Sequence, residues 1–266
     1  MIIAICQQEI KFENKELNLQ NICTNITKAK NKNADIVFFP EMSLTGFSMN
    51  IEKTSEKNSF NIQKIKDTAI SEKISVGFGW VKYIDDKAEN HYTVVSDTGE
   101  VISDYIKIHP FSYAGEDRFF HSGEKIVDFK INDINFSTFI CYDLRFPEIF
   151  QIASKKSDVI VIPANWPEKR KEHWKTLLKA RAIENQCYII GVNCFGYQYK
   201  IYYSGDSCVL NPNGDIIIEA KEKEDLLFFE LQNDTEKYRK DFPIKKDRKN
   251  ELYKKLMWGV FCFASC

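Results

Sequence analysis

Long apolar runs are missing from this 266-residue chain. No stretch reaches the roughly 20 residues that a membrane-crossing helix needs. A surplus of either charge is missing as well: 37 Lys and Arg stand against 38 Asp and Glu, a formal net charge of −1. So balanced a chain offers no electrostatic case for nucleic acid or for an acidic membrane surface as partner. Arginine is scarce. Only Arg118, Arg145, Arg170, Arg181, Arg239 and Arg248 supply the planar fork that pairs best with carboxylates. No Cys-x-x-Cys pair occurs, which argues against a structural zinc site. Gly77-Phe78-Gly79 lacks the third glycine of a dinucleotide-binding turn, and no such turn follows the first strand. No basic leader or cleavage pattern precedes the strand expected at Ile2 to Cys6, so a cytoplasmic protein is expected. The eight cysteines are scattered from Cys6 to Cys266 and form no disulfide framework, so most are expected to be buried thiols.

What is present describes an ordinary globular protein: 44% hydrophobic, 14% aromatic and 28% charged residues, too apolar for disorder. The length suits one large α/β domain or two modest ones. Apolar strands are expected at about 2–8, 35–39, 74–81, 125–129, 134–140, 158–162 and 187–193. Helical spacing runs through Leu19, Ile22, Ile26 and Ala29, then over about 58–72 and 168–186. In the last of these Trp174, Leu177, Leu178 and Ile183 are assigned to the apolar side. Residues 91–106 read as a hairpin about Asp97-Thr98-Gly99, and 207–219 as another about Asn211-Pro212-Asn213-Gly214. A further strand is expected at 226–231, then a charged segment over 236–255 that packs over a surface or a partner. No linker or repeat divides the chain. Parallel units interrupted by hairpins imply mixed sheets in a layered α/β body, and periodicity alone does not choose between one sheet and two.

The chemistry concentrates at Phe139-Ile140-Cys141-Tyr142-Asp143-Leu144-Arg145-Phe146-Pro147-Glu148. An apolar strand stops at Cys141, polar residues follow, and Pro147 suits a helix's first turn. Active sites of open α/β sheets collect at the carboxyl ends of strands, and a sharp turn there exposes a side chain while aiming backbone N–H groups at the same point. A cysteine so placed is either a nucleophile held as thiolate or a buried structural thiol. A nucleophile needs a base. His91, His109, His121 and His173 have no orienting partner nearby in sequence, although a Cys–His pair stays open. Glu41, directly after an apolar strand and Pro40, is the carboxylate alternative: partial burial raises its pKa toward neutrality, whereas exposure makes it a plain loop carboxylate. Lys107 ends the first hairpin and Glu116 lies in the polar loop beyond it. An ammonium there lowers a thiol's pKa and balances a tetrahedral intermediate, yet most lysines of so lysine-rich a chain are solvated surface.

Taken together these segments resemble the carbon–nitrogen hydrolase (nitrilase) superfamily. Phe38-Phe39-Pro40-Glu41 resembles its base segment, Tyr105-Ile106-Lys107-Ile108-His109 its lysine segment, and Cys141 to Glu148 its nucleophile segment, in the right order. The likeness continues through Pro163-Ala164-Asn165-Trp166-Pro167, Ala180 to Gln186, Gly205-Asp206-Ser207 and Asn211 to Gly214, to about residue 250. Within the superfamily the chain resembles the omega-amidases.

The resemblance implies an α/β fold in the form of a four-layer α-β-β-α sandwich, paired into a homodimer. Residues 1–255 then form one hydrolase domain and 256–266 an atypical apolar tail. It implies Cys141 as nucleophile, Glu41 as base, Lys107 as stabiliser of the tetrahedral intermediate, and Glu116 as support for the lysine, with no metal or organic cofactor. The Tyr142 backbone N–H is expected on the oxyanion. Arg145, Arg170 or Arg118 is expected on a distal substrate carboxylate, with Arg145 alternatively clamping Asp143 or Glu148. Asn165 and Trp166 are expected to line the pocket with a hydrogen bond and an apolar wall. His173 reads as a satisfied helix residue, and Arg181 with Glu184 as a bridge. The reaction implied is release of ammonia from a small amide and water, with 2-oxoglutaramate and 2-oxosuccinamate as substrates. Deaminated glutathione, N-carbamoyl amino acids, aliphatic amides and nitriles are the alternatives. A non-catalytic scaffold is disfavoured because every matched catalytic residue is present. One departure is Pro110, where many relatives carry leucine.

Overall fold

A computed structural model describes residues 1–232 and 234–257. Along the chain lie β1 (Ile2–Gln7), α1 (Lys15–Lys30), β2 (Ile36–Phe38), α2 (Ile51–Thr54), α3 (Phe60–Glu72), β3 (Ser75–Ile84), β4 (Lys87–Val95) and β5 (Val101–Ile106). Then come α4 (Glu116–Phe119), β6 (Asp128–Ile131), β7 (Ile134–Thr138), α5 (Pro147–Ala153), β8 (Val159–Ala164), α6 (Lys171–Asn185) and β9 (Tyr188–Asn193). The last third holds β10 (Phe195–Gln198), β11 (Ile201–Ser204), β12 (Cys208–Leu210), β13 (Ile216–Glu219), β14 (Asp225–Glu230), α7 (Thr235–Asp241) and α8 (Asn250–Met257).

Two six-stranded sheets carry the fold, in the orders β14-β1-β2-β3-β4-β5 and β13-β12-β9-β8-β7-β6. Strand parity explains why they stack. In β1 and β2, Ile3, Ile5, Ile36 and Phe38 point to one core, while Ala4, Cys6 and Val37 point to another with Ile22, Ile26 and Ala29 of α1 and Ile65 and Ala69 of α3. The first core continues into the second sheet, where Phe38 meets Phe136 at 6.4 Å between ring centroids. Trp174, Leu178 and Ala182 of α6 join it from the far side. The result is four layers, α-β-β-α. Gly191 lets α6 approach: a Cβ there would lie 2.7 Å from Leu178 and 2.8 Å from Trp174.

Direction matters more than order. β1, β2 and β3 are parallel, and the antiparallel β4 returns β5 to the same sense. In the second sheet β7, β8 and β9 are parallel. Glu41 after β2, Lys107 after β5, Cys141 after β7 and Asn165 after β8 therefore all leave carboxyl ends of parallel strands, where such folds hold their sites.

Several expectations need correction. The hairpin β3–β4 extends to Ile84 and starts again at Lys87, well past the limits of the apolar pattern, because Lys82 and Tyr83 pair in the ladder while facing solvent. On α6, Ile183 is exposed and Arg181 is buried in its stead. The ribbon β10–β11 carries no alternation that announces it. For the charged segment no correction is needed, since of its two alternatives a surface of its own chain is the one seen: Arg239 donates to the Ser157 carbonyl at 2.7 Å and Lys245 to that of Ser154 at 2.6 Å. Of the apolar tail assigned to 256–266, residues 258–266 lie outside the described ones. Among the described residues no helix is long and apolar enough to cross a membrane.

Candidate active site

Three ionisable side chains meet beneath one cleft. Lys107 Nζ donates to Glu41 Oε1 at 2.9 Å and to both oxygens of Glu116 at 3.1 and 2.9 Å. All three are buried, so one ammonium is shared between two carboxylates in a water-poor place. Each carboxylate has further donors. Glu41 Oε2 accepts the Asn165 backbone N–H at 2.9 Å, and Glu116 Oε2 accepts that of Phe111. Asn90 Nδ2 reaches Glu41 Oε1 at 2.9 Å and Glu116 Oε1 at 3.2 Å.

The loop bearing Glu41 crosses β3 at Gly79, where a Cβ would stand 2.3 Å from the Met42 nitrogen and 2.8 Å from the Glu41 carbonyl carbon. No other residue lets the loop lie so close.

Cys141 opens a short 3-10 turn with φ of +48°, a left-handed conformation that costs a non-glycine residue strain. Asp143 pays for that turn: its fully buried carboxylate accepts the Ile140 N–H at 2.9 Å, the Tyr105 hydroxyl at 2.7 Å and the His109 N–H at 2.9 Å. The clamp ties the nucleophile turn to the strand that delivers Lys107. From the other side Arg181 donates to the Leu144 carbonyl at 2.7 and 3.1 Å while pairing with Glu184 at 2.9 Å. No hydrogen bond from the Tyr142 N–H is made to the described residues, which leaves it for a ligand oxygen.

Electrostatics corrects two expectations. Burial pushes the Cys141 thiol up, the Glu41 carboxylate pushes it further, and the opposing Lys107 ammonium is already balanced by two carboxylates. The resting nucleophile is a thiol, not a thiolate. Burial also pushes Glu41 up, but the Lys107 charge and the hydrogen bonds from Lys107, Asn90 and Asn165 outweigh it and hold Glu41 below the ordinary glutamate range. Glu116, pushed up by burial and by its neighbour Glu41 against the pull of Lys107, lies above that range. The two share one positive charge and titrate as a pair.

The cleft has a volume of about 500 Å³ including its mouth. Cys141, Lys107, Tyr142, Asn165, Trp166 and Phe47 are among the residues that line it. Asn165 departs from its expected role. Its Nδ2 donates to the Glu41 carbonyl at 2.7 Å, with a long second contact to Glu41 Oε2 at 3.5 Å, and its Oδ1 accepts Gln198 Nε2 at 2.6 Å, so both ends of the amide are turned to bracing the base loop. Trp166 is wall and anchor at once, donating to the Arg170 carbonyl at 2.8 Å. Arg145 does not clamp Asp143 or Glu148. It stacks over Trp166 at 4.8 Å and donates to His173 Nδ1 at 3.2 Å. Arg170 stands across the cleft over Phe111 at 5.3 Å. Neither guanidinium has a carboxylate in salt-bridge reach among the described residues. Arg118 does not line the cleft. Asn90, Asp143 and Arg181 went unassigned to the site in sequence because a polar residue inside a strand or turn announces no partner fifty positions away.

The sequence pattern of the carbon–nitrogen hydrolase family matches residues 2–240. The chain is 35% identical to "Hydrolase in agr operon" of Staphylococcus aureus over 263 residues, covering 96% of this chain and 100% of that one. It is 29% identical to the 2-oxoglutaramate amidase of Bacillus subtilis (strain 168) over 256 residues, covering 94% and 98%. Among solved structures, a CN-hydrolase superfamily protein from Xanthomonas campestris with an arsenic adduct in its active site superposes with a TM-score of 0.87 at 24% identity, over 93% and 97% of the two chains.

Proposed function

Because the chain belongs to the carbon–nitrogen hydrolase family and is an amidase acting through a cysteine nucleophile, we propose that it releases ammonia from small omega-amides of dicarboxylic 2-oxo acids, 2-oxoglutaramate and 2-oxosuccinamate. The observation that carries this reading is the pair Arg145 and Arg170, two cations without acidic partners among the described residues, in a largely apolar cleft shared with Cys141. A substrate with a carboxylate remote from its amide satisfies them, and a planar guanidinium suits that carboxylate. The Bacillus subtilis relative supports the same assignment.

In this reading Cys141 Sγ attacks the amide carbon as its proton passes to Glu41. The carbonyl electrons move onto oxygen, where the positive charge of Lys107 and the Tyr142 N–H stabilise them. Collapse breaks the C–N bond, and the nitrogen takes the proton from Glu41 and leaves as ammonia. Glu41 then takes a proton from water, the hydroxide adds to the thioester, and the C–S bond breaks as the proton returns to sulfur. Glu116 fixes Lys107 throughout. The protein is further read as a homodimer in a reducing cytoplasm. Six free thiols among the described residues support the second point, and exposed Ile152 and Ile183 on the outer helical layer support the first.

The test is ammonia release from a panel of 2-oxoglutaramate, 2-oxosuccinamate, glutamine, deaminated glutathione, a simple aliphatic amide and a nitrile. The two oxo-acid amides should lead by at least about 10-fold in kcat/KM, and Arg145→Gln should erase most of that lead by raising KM. If the uncharged amide is preferred, the substrate assignment is wrong. Cys141→Ala should be inert on all six. A monomeric mass by light scattering would refute the dimer.

A further inference from the structure

Asn90 has no place in the reaction as written, yet it lies between the groups that do. It sits on β4 and is 1% exposed. Its backbone carbonyl accepts the Lys107 N–H at 2.9 Å, extending the ladder that aims the lysine. Its side-chain nitrogen donates to Glu41 Oε1 at 2.9 Å and to Glu116 Oε1 at 3.2 Å. One residue thus touches both carboxylates and the backbone of the lysine between them. The amide's orientation is not arbitrary, since the reverse would set an oxygen against two carboxylates.

The other end of the same amide has no compensation. Asn90 Oδ1 is buried and lacks a hydrogen-bond partner among the described residues. A buried acceptor left unpaired is costly. An apolar residue of similar size would fill this place without that cost, so packing alone does not account for an asparagine. What accounts for it is the nitrogen: two hydrogens, two carboxylates.

We propose that Asn90 is a positioning residue, whose two amide hydrogens hold Glu41 and Glu116 at a fixed spacing about Lys107 and keep Glu41 ready to take the thiol proton. This rests on the reading of Glu41 as base and Glu116 as its partner. The consequence is specific. Each carboxylate loses a donor when the amide is removed, and losing a hydrogen bond to the charged form favours the protonated one. The acid limb of the rate profile therefore moves to higher pH while the protein is still folded, a shift that a uniform loss of folded protein does not cause.

The experiment compares Asn90→Ala and Asn90→Asp with the parent and with Glu41→Gln, measuring kcat and KM for 2-oxoglutaramate across pH and folding by urea titration. Asn90→Ala should lower kcat by about 10- to 100-fold with KM within about twofold, and should raise the acid limb by about half a pH unit or more. Asn90→Asp keeps the shape but replaces the donor with a third acid, so it should be the slower of the two at neutral pH. An unmoved limb in both Asn90 variants, with Glu41→Gln inactive, overturns the role of Asn90 and leaves that of Glu41 standing. Parent-like turnover by Glu41→Gln removes the underlying reading instead, and this proposal with it.

Discussion

At the scale of single residues, Lys107 decides what Cys141 is at rest. A lone ammonium beside a thiol would draw out its proton. Two buried carboxylates consume that charge, and the sulfur keeps its proton until substrate arrives. The proton must then leave during attack, to the carboxylate held below its ordinary range, Glu41. Two outcomes follow for pH. Glu41 stays charged below the ordinary glutamate range, so kcat/KM should hold from about pH 6 downward through about pH 4.5 before it falls. Cys141 stays protonated well above neutrality, so no alkaline rise should mark a thiolate forming between about pH 7 and 9. The ultraviolet thiolate absorbance of the parent minus Cys141→Ser checks this directly: it should be flat over that interval, and a titration centred near neutrality would contradict the concerted transfer. Cys141, Glu41, Lys107 and Glu116 were legible because each closes or follows a segment with a recognisable pattern. Asn90 and Asp143 were not, because their meaning lies in partners 26 to 49 and 34 to 38 positions away.

At the scale of elements, the strands that end in the site were read from their apolar composition to within a few residues. What could not be read is how tightly the turns beyond them cross their neighbours. Gly77-Phe78-Gly79 served in sequence only to exclude a nucleotide turn, whereas in the fold its second glycine is the floor on which the Glu41 loop lies. Gly79→Ala would drive a methyl group against the Met42 nitrogen and the Glu41 carbonyl carbon, atoms of backbone that cannot rotate away. The loop must lift, and Glu41 with it, by enough to lengthen its bonds to Lys107 and Asn165. We expect a loss of about 100-fold in kcat, since displacement of about 1 Å at a reacting group costs that much, together with destabilisation of about 1–3 kcal/mol from overpacking. Rate and urea midpoint measured on the same preparation check both. Parent-like kcat would mean that the loop has slack and that β3 does not set the position of the base.

Taken as a whole, the molecule's four layers follow from strand parity, but only once the two sheets are known to face each other. A run such as Ile2 to Cys6 buries both faces of its strand and so carries no alternation from which a second sheet could be inferred. The closing segment was harder still. Its charge suggested a surface cover, and the fold lays it against the end of the second sheet and its helices, with Lys245 over the C-terminal turn of α5. Burial, aided by the like charges of Arg239 and Arg248, pulls the Lys245 ammonium down to about 8 from its ordinary 10.5. Below about pH 8 the lysine is protonated in both the folded and the unfolded chain, and the folded state bears the cost of holding it charged. Between about 8 and 10.5 the folded chain has released a proton that the unfolded chain still binds, so stability contributed by this site rises with pH across that window. Lys245→Met removes the titration. Urea unfolding of parent and variant should therefore show the parent gaining on the variant from pH 8 to 10.5, with a constant difference between pH 6 and 7.5. Parallel curves over the whole range would mean that the segment is lifted from the α5 end in solution and that its lysine is as hydrated as any on the surface.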